Sequence, residues 1–184
     1  MHHSLKIYSR YRDTFLRTYI FLAKWTRIPV IGGLVRRVAN LFGGNIQGAN
    51  LLTLSEAYEI IDSAGSIALG PCACRSVFKN CDALLNAEIM LSINKTVFAF
   101  NPKKRDAYRT IDKREAKDIM KQCHDKGLLH TIIKCRGDYY ALCNCCTCCC
   151  VPYRLLKDYG IGHALTRRKD IVDRFKKLQP HSVL

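Results

Sequence analysis

The sequence lacks any uninterrupted apolar stretch. Its most apolar segment, residues 15–42, is cut by Arg17, Lys24, Arg27, Arg36 and Arg37 and broken by Pro29 and Gly32-Gly33. A spanning helix needs about 20 mostly apolar residues, so this segment is not expected to cross a membrane. The start, Met1-His2-His3-Ser4-Leu5-Lys6, is not followed by a charge-free apolar run and a small-residue cleavage site. No secretory signal is expected, and the reading is of a protein in the reducing cytoplasm. Acids are scarce, 15 Asp and Glu against 30 Lys and Arg. There is no catalytic triad, phosphate-binding loop or carboxylate pair, so nothing marks a stand-alone enzyme. Also missing are the paired C-x2-C knuckles of zinc ribbons and the C-x2-C-x2-C-x3-C-P run of bacterial ferredoxins.

What the chain does have is cysteine. Six lie within eight residues, Cys143-Asn144-Cys145-Cys146-Thr147-Cys148-Cys149-Cys150, and a smaller group, Cys72, Cys74 and Cys81, precedes them. Crowded thiolates repel one another unless a cation neutralises them, and metal centres lower thiol pKa values enough to make such an array tolerable. Disulfides fit less well: the count of 11 is odd, no export is expected, and neighbouring cysteines close only a strained ring. The nine clustered thiols are therefore the ligand pool: Cys72, Cys74, Cys81, Cys143, Cys145, Cys146, Cys148, Cys149 and Cys150. Cys123 falls on the apolar face of an expected helix and reads as core, Cys135 is undecided, and His124, His130 and His163 read as structural.

The 184 residues, 48% of them apolar, suffice for one folded core. Charge is uneven: residues 1–50 hold eight Lys and Arg against one acid, and residues 151–184 hold eight against three. This suggests a basic amphipathic N-terminal arm (1–50), a cysteine-rich domain (51–152) and a basic C-terminal helical tail (153–184). Arms of this kind either pack on the core with their cations in water or meet something acidic. Candidates are an anionic membrane surface on the cytoplasmic side, an acidic partner protein, or a nucleic acid.

Helices are expected over 14–27 and 33–42, with Gly43-Gly44 and Gly48 as a linker. Thr53-Leu54-Ser55-Glu56 reads as a capping box, followed by an apolar face of Ala57, Ile60, Ile61 and Ala64 and a stop at Gly65. A strand at Ser66 to Leu69 leads into Pro71-Cys72. Asp82 to Ile93 reads as helical, with Leu84, Leu85, Ile89 and Leu91 buried. Thr96 to Phe100 reads as a strand and Asn101 to Arg105 as a basic loop. Asp112 caps a helix that Gly127 ends, and Leu128 to Lys134 with Tyr139 to Leu142 form a hairpin delivering Cys143. Helix, strand and Cys-x-Cys thus occur twice, a weak repeat, and helix-plus-hairpin is also a winged-helix skeleton. Residues 171–178 form a last amphipathic helix. The expected fold class is α+β, short helices and small β-hairpins, with winged-helix-like halves as one form, around the metal site.

Adjacent cysteines on extended backbone point to opposite sides. Cys145-Cys146 and Cys148-Cys149-Cys150 therefore cannot all face one ion unless the chain coils tightly or two centres flank it. That favours a polynuclear centre, one or two 4Fe–4S clusters, over a single zinc ion, with zinc as the alternative.

Pro71-Cys72-Ala73-Cys74-Arg75, the helix from Asp112 to Lys126 ending in Gly127-Leu128-Leu129-His130, and the run from Cys143 to Cys150 together resemble the cysteine-rich 4Fe–4S ferredoxin-like proteins of anaerobic bacteria and archaea. The likeness covers about residues 51–160. It implies iron–sulfur binding and an electron-transfer or redox-support role beside a partner protein. The chain departs from that pattern in having no C-x2-C-x2-C ferredoxin module after Lys157, and in having Met90 where a further cysteine is expected. Two rivals follow from the residues: a winged-helix regulator that senses redox state and binds DNA, and a zinc-binding structural adaptor.

Overall fold

The computed structural model describes residues 10–91 and 107–178. The expected strand at Thr96 to Phe100 and the basic loop at Asn101 to Arg105 lie outside them. In chain order the described elements are α1 (Arg12–Ala23), a 3-10 turn (Lys24–Arg27), α2 (Gly32–Asn45), β1 (Gln47–Leu52) and α3 (Leu54–Ser63). Next come β2 (Ile67–Pro71), α4 (Ala73–Phe78), β3 (Asn86–Leu91), β4 (Arg109–Ile111) and α5 (Lys113–Asp125). The last are β5 (Leu129–Cys135), β6 (Asp138–Cys145), α6 (Val151–Tyr159), β7 (Leu165–Arg167) and α7 (Ile171–Leu178). No helix among the described residues is long and apolar enough to cross a membrane.

The class is α+β, but the strands join one seven-stranded sheet of order β4-β2-β3-β6-β5-β1-β7 rather than separate hairpins. All neighbours are antiparallel except β1 and β7. Exchanging β1 with β4, β2 with β5 and β3 with β6 reverses the first six positions of this order, so they read the same from the opposite edge. The chain thus contains two β-α-β-β units, β1-α3-β2-β3 and β4-α5-β5-β6, each lending its first strand to the edge of the other. The Cys-x-Cys pairs do not obey this symmetry: Cys72 and Cys74 follow β2, whereas Cys143 and Cys145 end β6, the counterpart of β3. The sheet draws strands from beyond 51–152, since β1 starts at Gln47 and β7 covers 165–167.

Local signals set the helices. Thr53 accepts the Glu56 N–H at 3.2 Å while Glu56 accepts the Thr53 N–H at 2.7 Å, completing the capping box of α3. Asp112 accepts the Glu115 N–H at 2.7 Å and starts α5. After α5, Gly127 takes φ +71°, a left-handed conformation with little cost for glycine, and turns the chain into β5. Two segments differ from expectation. Residues 82–91 do not form the expected helix, whose last two positions, 92 and 93, lie outside the described residues: Asn86–Leu91 is strand β3, and Leu85 is exposed. A central strand buried on both faces reads as a continuous apolar run, which periodicity cannot separate from a helix. The expected linker is also structured, because Gly43 and Gly44 end α2 and Gly48 lies in β1. A Cβ at Gly43 would stand 2.8 Å from the His163 carbonyl oxygen, so this glycine permits close packing.

The two sheet faces have different partners. On one, Ile89, Leu91, Ile132 and Leu142 meet α3, α5 and α7 through Ile60, Ile61, Met120, Cys123 and Phe175. On the other, Met90, Ile133, Ala141, Cys143 and Cys145 face Phe15 and Tyr19 of α1 and Cys150 and Tyr153 at α6. Alternation along β6 sends Cys143 and Cys145 to this second face and Leu142 to the first. Leu16, Ile20 and Ala23 of α1 pack with Ala73, Val77, Val151 and Tyr159, so the N-terminal helix covers the cysteine-bearing side.

Candidate metal centre

The thiols divide into two groups across one stretch of backbone. The Sγ atoms of Cys81, Cys146, Cys148 and Cys149 all lie within 4.8 Å of one another. Cys81 and Cys149 are 3.9 Å apart, and Cys148 and Cys149 3.8 Å. Lys79 ends α4 in a left-handed conformation, φ 51°, and turns the chain so that Cys81 reaches the tip of β6. Beside it, the Asn80 N–H donates to Cys149 Sγ at 3.3 Å, and its side-chain amide donates to the Cys148 carbonyl at 3.0 Å.

The second group lies on the other side. Cys74 accepts the Val151 N–H at 3.5 Å, and it lines one cavity with Cys72, Cys143, Cys145 and Cys150. Cys143, Cys145 and Cys150 are buried in one cluster. Thr131 Oγ1 is 3.4 Å from Cys145 Sγ. Cys143 sits beside this group with its thiol toward Glu88 Oε1, at 3.8 Å. Cys123 and Cys135 are buried in the apolar clusters and belong to neither group.

Burial and hydrogen bonding split the thiol pKa values. Cys146 is lowered to about 6: burial opposes its ionisation, but donation from the Cys149 backbone and from the Cys148 and Cys81 side chains, with the Arg75 guanidinium nearby, outweighs it. Burial pushes Cys149 up to about 12. The neighbouring Cys145 and Cys74 thiols, together with burial, raise Cys150 well above the ordinary thiol value, while the Cys150 thiol lowers Cys74.

The donor set fits a metal. An ion bound by four thiolates at about 2.3 Å holds its sulfurs about 3.8 Å apart, which the compact group matches. Arg75 supplies an independent sign. It is 2% exposed, its Nη1 donates to the Asn144 carbonyl at 2.9 Å, and Nε and Nη2 have no hydrogen-bond partner. Burial opposes its charge, while the sulfurs of Cys72, Cys146 and Cys145 favour it. A buried guanidinium with two idle donors calls for negative charge beside it, and metal-bound thiolates carry that charge. Four close cysteines that could hold a metal are thus present.

The structure adds residues that sequence reasoning missed. Asn144, fully buried between two cysteines, accepts at Oδ1 from His130 Nδ1 at 2.7 Å, and its amide donates to the Ala87 carbonyl at 3.0 Å. His130 in turn lies 3.2 Å from His124. These contacts clamp the β6 tip from the helical face, and they keep both histidines structural. Glu88, 0% exposed, is held by a bidentate ion pair with Arg12 of α1. An Asn between two cysteines and an acid inside an apolar strand were the available signals. Comparison of the chain with protein-family models, with curated proteins and with solved structures finds no match.

Proposed function

We propose that this chain holds metal on two thiol groups set back to back and serves as an electron carrier or redox accessory subunit for a partner protein. The observation that carries this reading is the division of the run from Cys145 to Cys150. Cys145 and Cys150 line one cavity with Cys72 and Cys74, whereas Cys146, Cys148 and Cys149 join Cys81. Two adjoining centres use eight of the nine clustered thiols, with Cys143 beside the second.

The compact group has the spacing of a single tetrahedral ion. The second group has the donors for a 4Fe–4S cluster, whose ligand sulfurs stand roughly 6 Å apart because four irons lie between them. Iron–sulfur is further supported by the number of soft ligands and by the resemblance to cysteine-rich 4Fe–4S proteins. Such a centre, when bound, supplies one-electron chemistry. The chain's own contribution is to bury the sulfurs, aim backbone N–H groups of Asn80 and Val151 at them, and set Arg75 between the groups.

Anaerobic purification followed by iron, zinc and acid-labile sulfide analysis and EPR tests the proposal. The expected result is brown protein with iron and sulfide and a signal on reduction. Cys145→Ser and Cys146→Ser should each lower metal content, by removing a ligand from different centres. Folded protein without iron or zinc, or full metal retention in both variants, would overturn it. A second reading, a zinc-binding structural adaptor, is favoured by the 3.8 and 3.9 Å sulfur separations; it requires colourless protein holding zinc without sulfide.

A further inference from the structure

Residues 14–55 contain five cations, Arg17, Lys24, Arg27, Arg36 and Arg37, and no acid. All five are exposed, and none is paired with a carboxylate among the described residues. Arg17, Arg27 and Arg36 instead donate to main-chain carbonyls. The same segment carries most of the exposed apolar surface. Of the 15 large apolar side chains exposed among the described residues, 11 lie between Phe21 and Ile46. Val30 is 91% exposed and Leu34 64%, and Trp25 projects beside them at 46%. Leu34, Val38 and Leu41 follow at i, i+4 and i+7, one stripe along α2.

The stripes of α1 and α2 face each other across a cavity of about 540 Å³, lined by Leu22, Trp25, Leu34, Val38 and Phe42 and walled at its far side by the second thiol group. Leu22, Trp25, Leu34, Val38 and Phe42 therefore form one contiguous patch. A patch of this kind marks an interaction surface rather than ordinary exposure.

We propose that the α1–α2 face docks in the plane of an anionic lipid bilayer. Charge chooses the occupant: an apolar ridge with Trp and Phe at its edge and unpaired cations around it matches the acyl boundary and the anionic headgroups above it. A second copy of this face would set its uncompensated cations against one another. Docking turns the cavity mouth, and the sulfurs of Cys72, Cys74, Cys145 and Cys150 behind it, toward the lipid.

Trp25 is the single tryptophan of the chain and reports on this face directly. The full chain is mixed with neutral phosphatidylcholine vesicles or with vesicles holding about one third phosphatidylglycerol, and both Trp25 emission and flotation are measured. Anionic vesicles should shift the emission to the blue, brominated acyl chains should quench it, and neutral vesicles should do neither. Leu34→Glu with Val38→Glu, both at exposed positions, should abolish flotation without changing circular dichroism. Lys24→Ala with Arg37→Ala should weaken partitioning by roughly 30-fold. Unchanged emission with both vesicle types, equal binding to both, or a lipid-independent dimer that buries Trp25 would each overturn the proposal.

Discussion

Arg75 on α4 and Asn144 on β6 are joined by a 2.9 Å hydrogen bond from Nη1 to the main-chain carbonyl, at the point where the two thiol groups meet. The bond fixes the guanidinium so that its remaining donors point among the sulfurs. Removing the charge while keeping the apolar stem, as in Arg75→Met, leaves the first ligands in place and takes away the group that offsets their negative charge. Metal retention under chelator challenge should fall by about 10- to 100-fold, the usual effect of losing a supporting contact around a metal. Arg75→Lys should recover only part of it, because an ammonium cannot hold Asn144 and reach the sulfurs with one planar fork. Equal retention in all three proteins would show that Arg75 has no part in the centre.

Arg12 and Glu88 make a prediction about stability. Their ion pair joins α1 to the middle of the sheet, with the two side chains 13% and 0% exposed. Truncating one partner strands a charge in the interior, whereas replacing both removes the problem. Arg12→Met should cost about 3 kcal/mol in denaturant unfolding, and Arg12→Met with Glu88→Gln should regain most of that. Additive losses would mean that the two groups are not coupled.

These contacts also show what the sequence could and could not disclose. Thr53 and Asp112 announced their helices because a cap needs only residues three apart, and the hairpin ahead of Cys143 was equally local. The two-sided division of Cys145 and Cys146 followed from strand geometry alone. The partners of each sulfur did not, since Cys81 meets Cys149 across 68 positions. Glu88 lies 76 positions from Arg12, and nothing in either neighbourhood names the other. Residues 86–91 misled for a different reason: a strand buried on both faces has no polar side, so its period is hidden. Gly43 misled because its missing side chain serves the approach of His163 rather than a bend.

Glu56 gives the pH dependence. Its carboxylate accepts the Thr53 N–H at 2.7 Å and an Arg167 Nη2 donor at 2.7 Å, tying α3 to β7. Burial opposes its charge, but the bonds to Arg167 and Thr53 prevail and hold its pKa below the ordinary value of 4.5. A carboxylate depressed on folding contributes stability that is complete above its unfolded pKa and is lost as the pH falls through the folded one. Glu56→Gln should therefore be less stable than the parent chain at neutral pH, and the gap should close below about pH 4. A gap that persists undiminished at acid pH would assign the effect to shape rather than charge.

Phe175 decides whether the C-terminal segment belongs to the cooperative core. It is fully buried on α7, packed in the same cluster as Ile60, Ile61 and Met120 of the helical face. A basic tail that merely lay on the surface could lose such a ring without disturbing the sheet. Here the ring lies inside the cluster that α3, α5 and the sheet share, so its loss leaves a cavity that rigid neighbours cannot collapse. Phe175→Ala should lower global stability by about 3–5 kcal/mol. Leu178→Ala, on the same helix but 49% exposed, should change it by less than about 0.5 kcal/mol. Hydrogen exchange separates the two arrangements, since a core tail exposes β2 and β6 amides faster when Phe175 is removed, whereas an independent tail frays alone and leaves their protection intact.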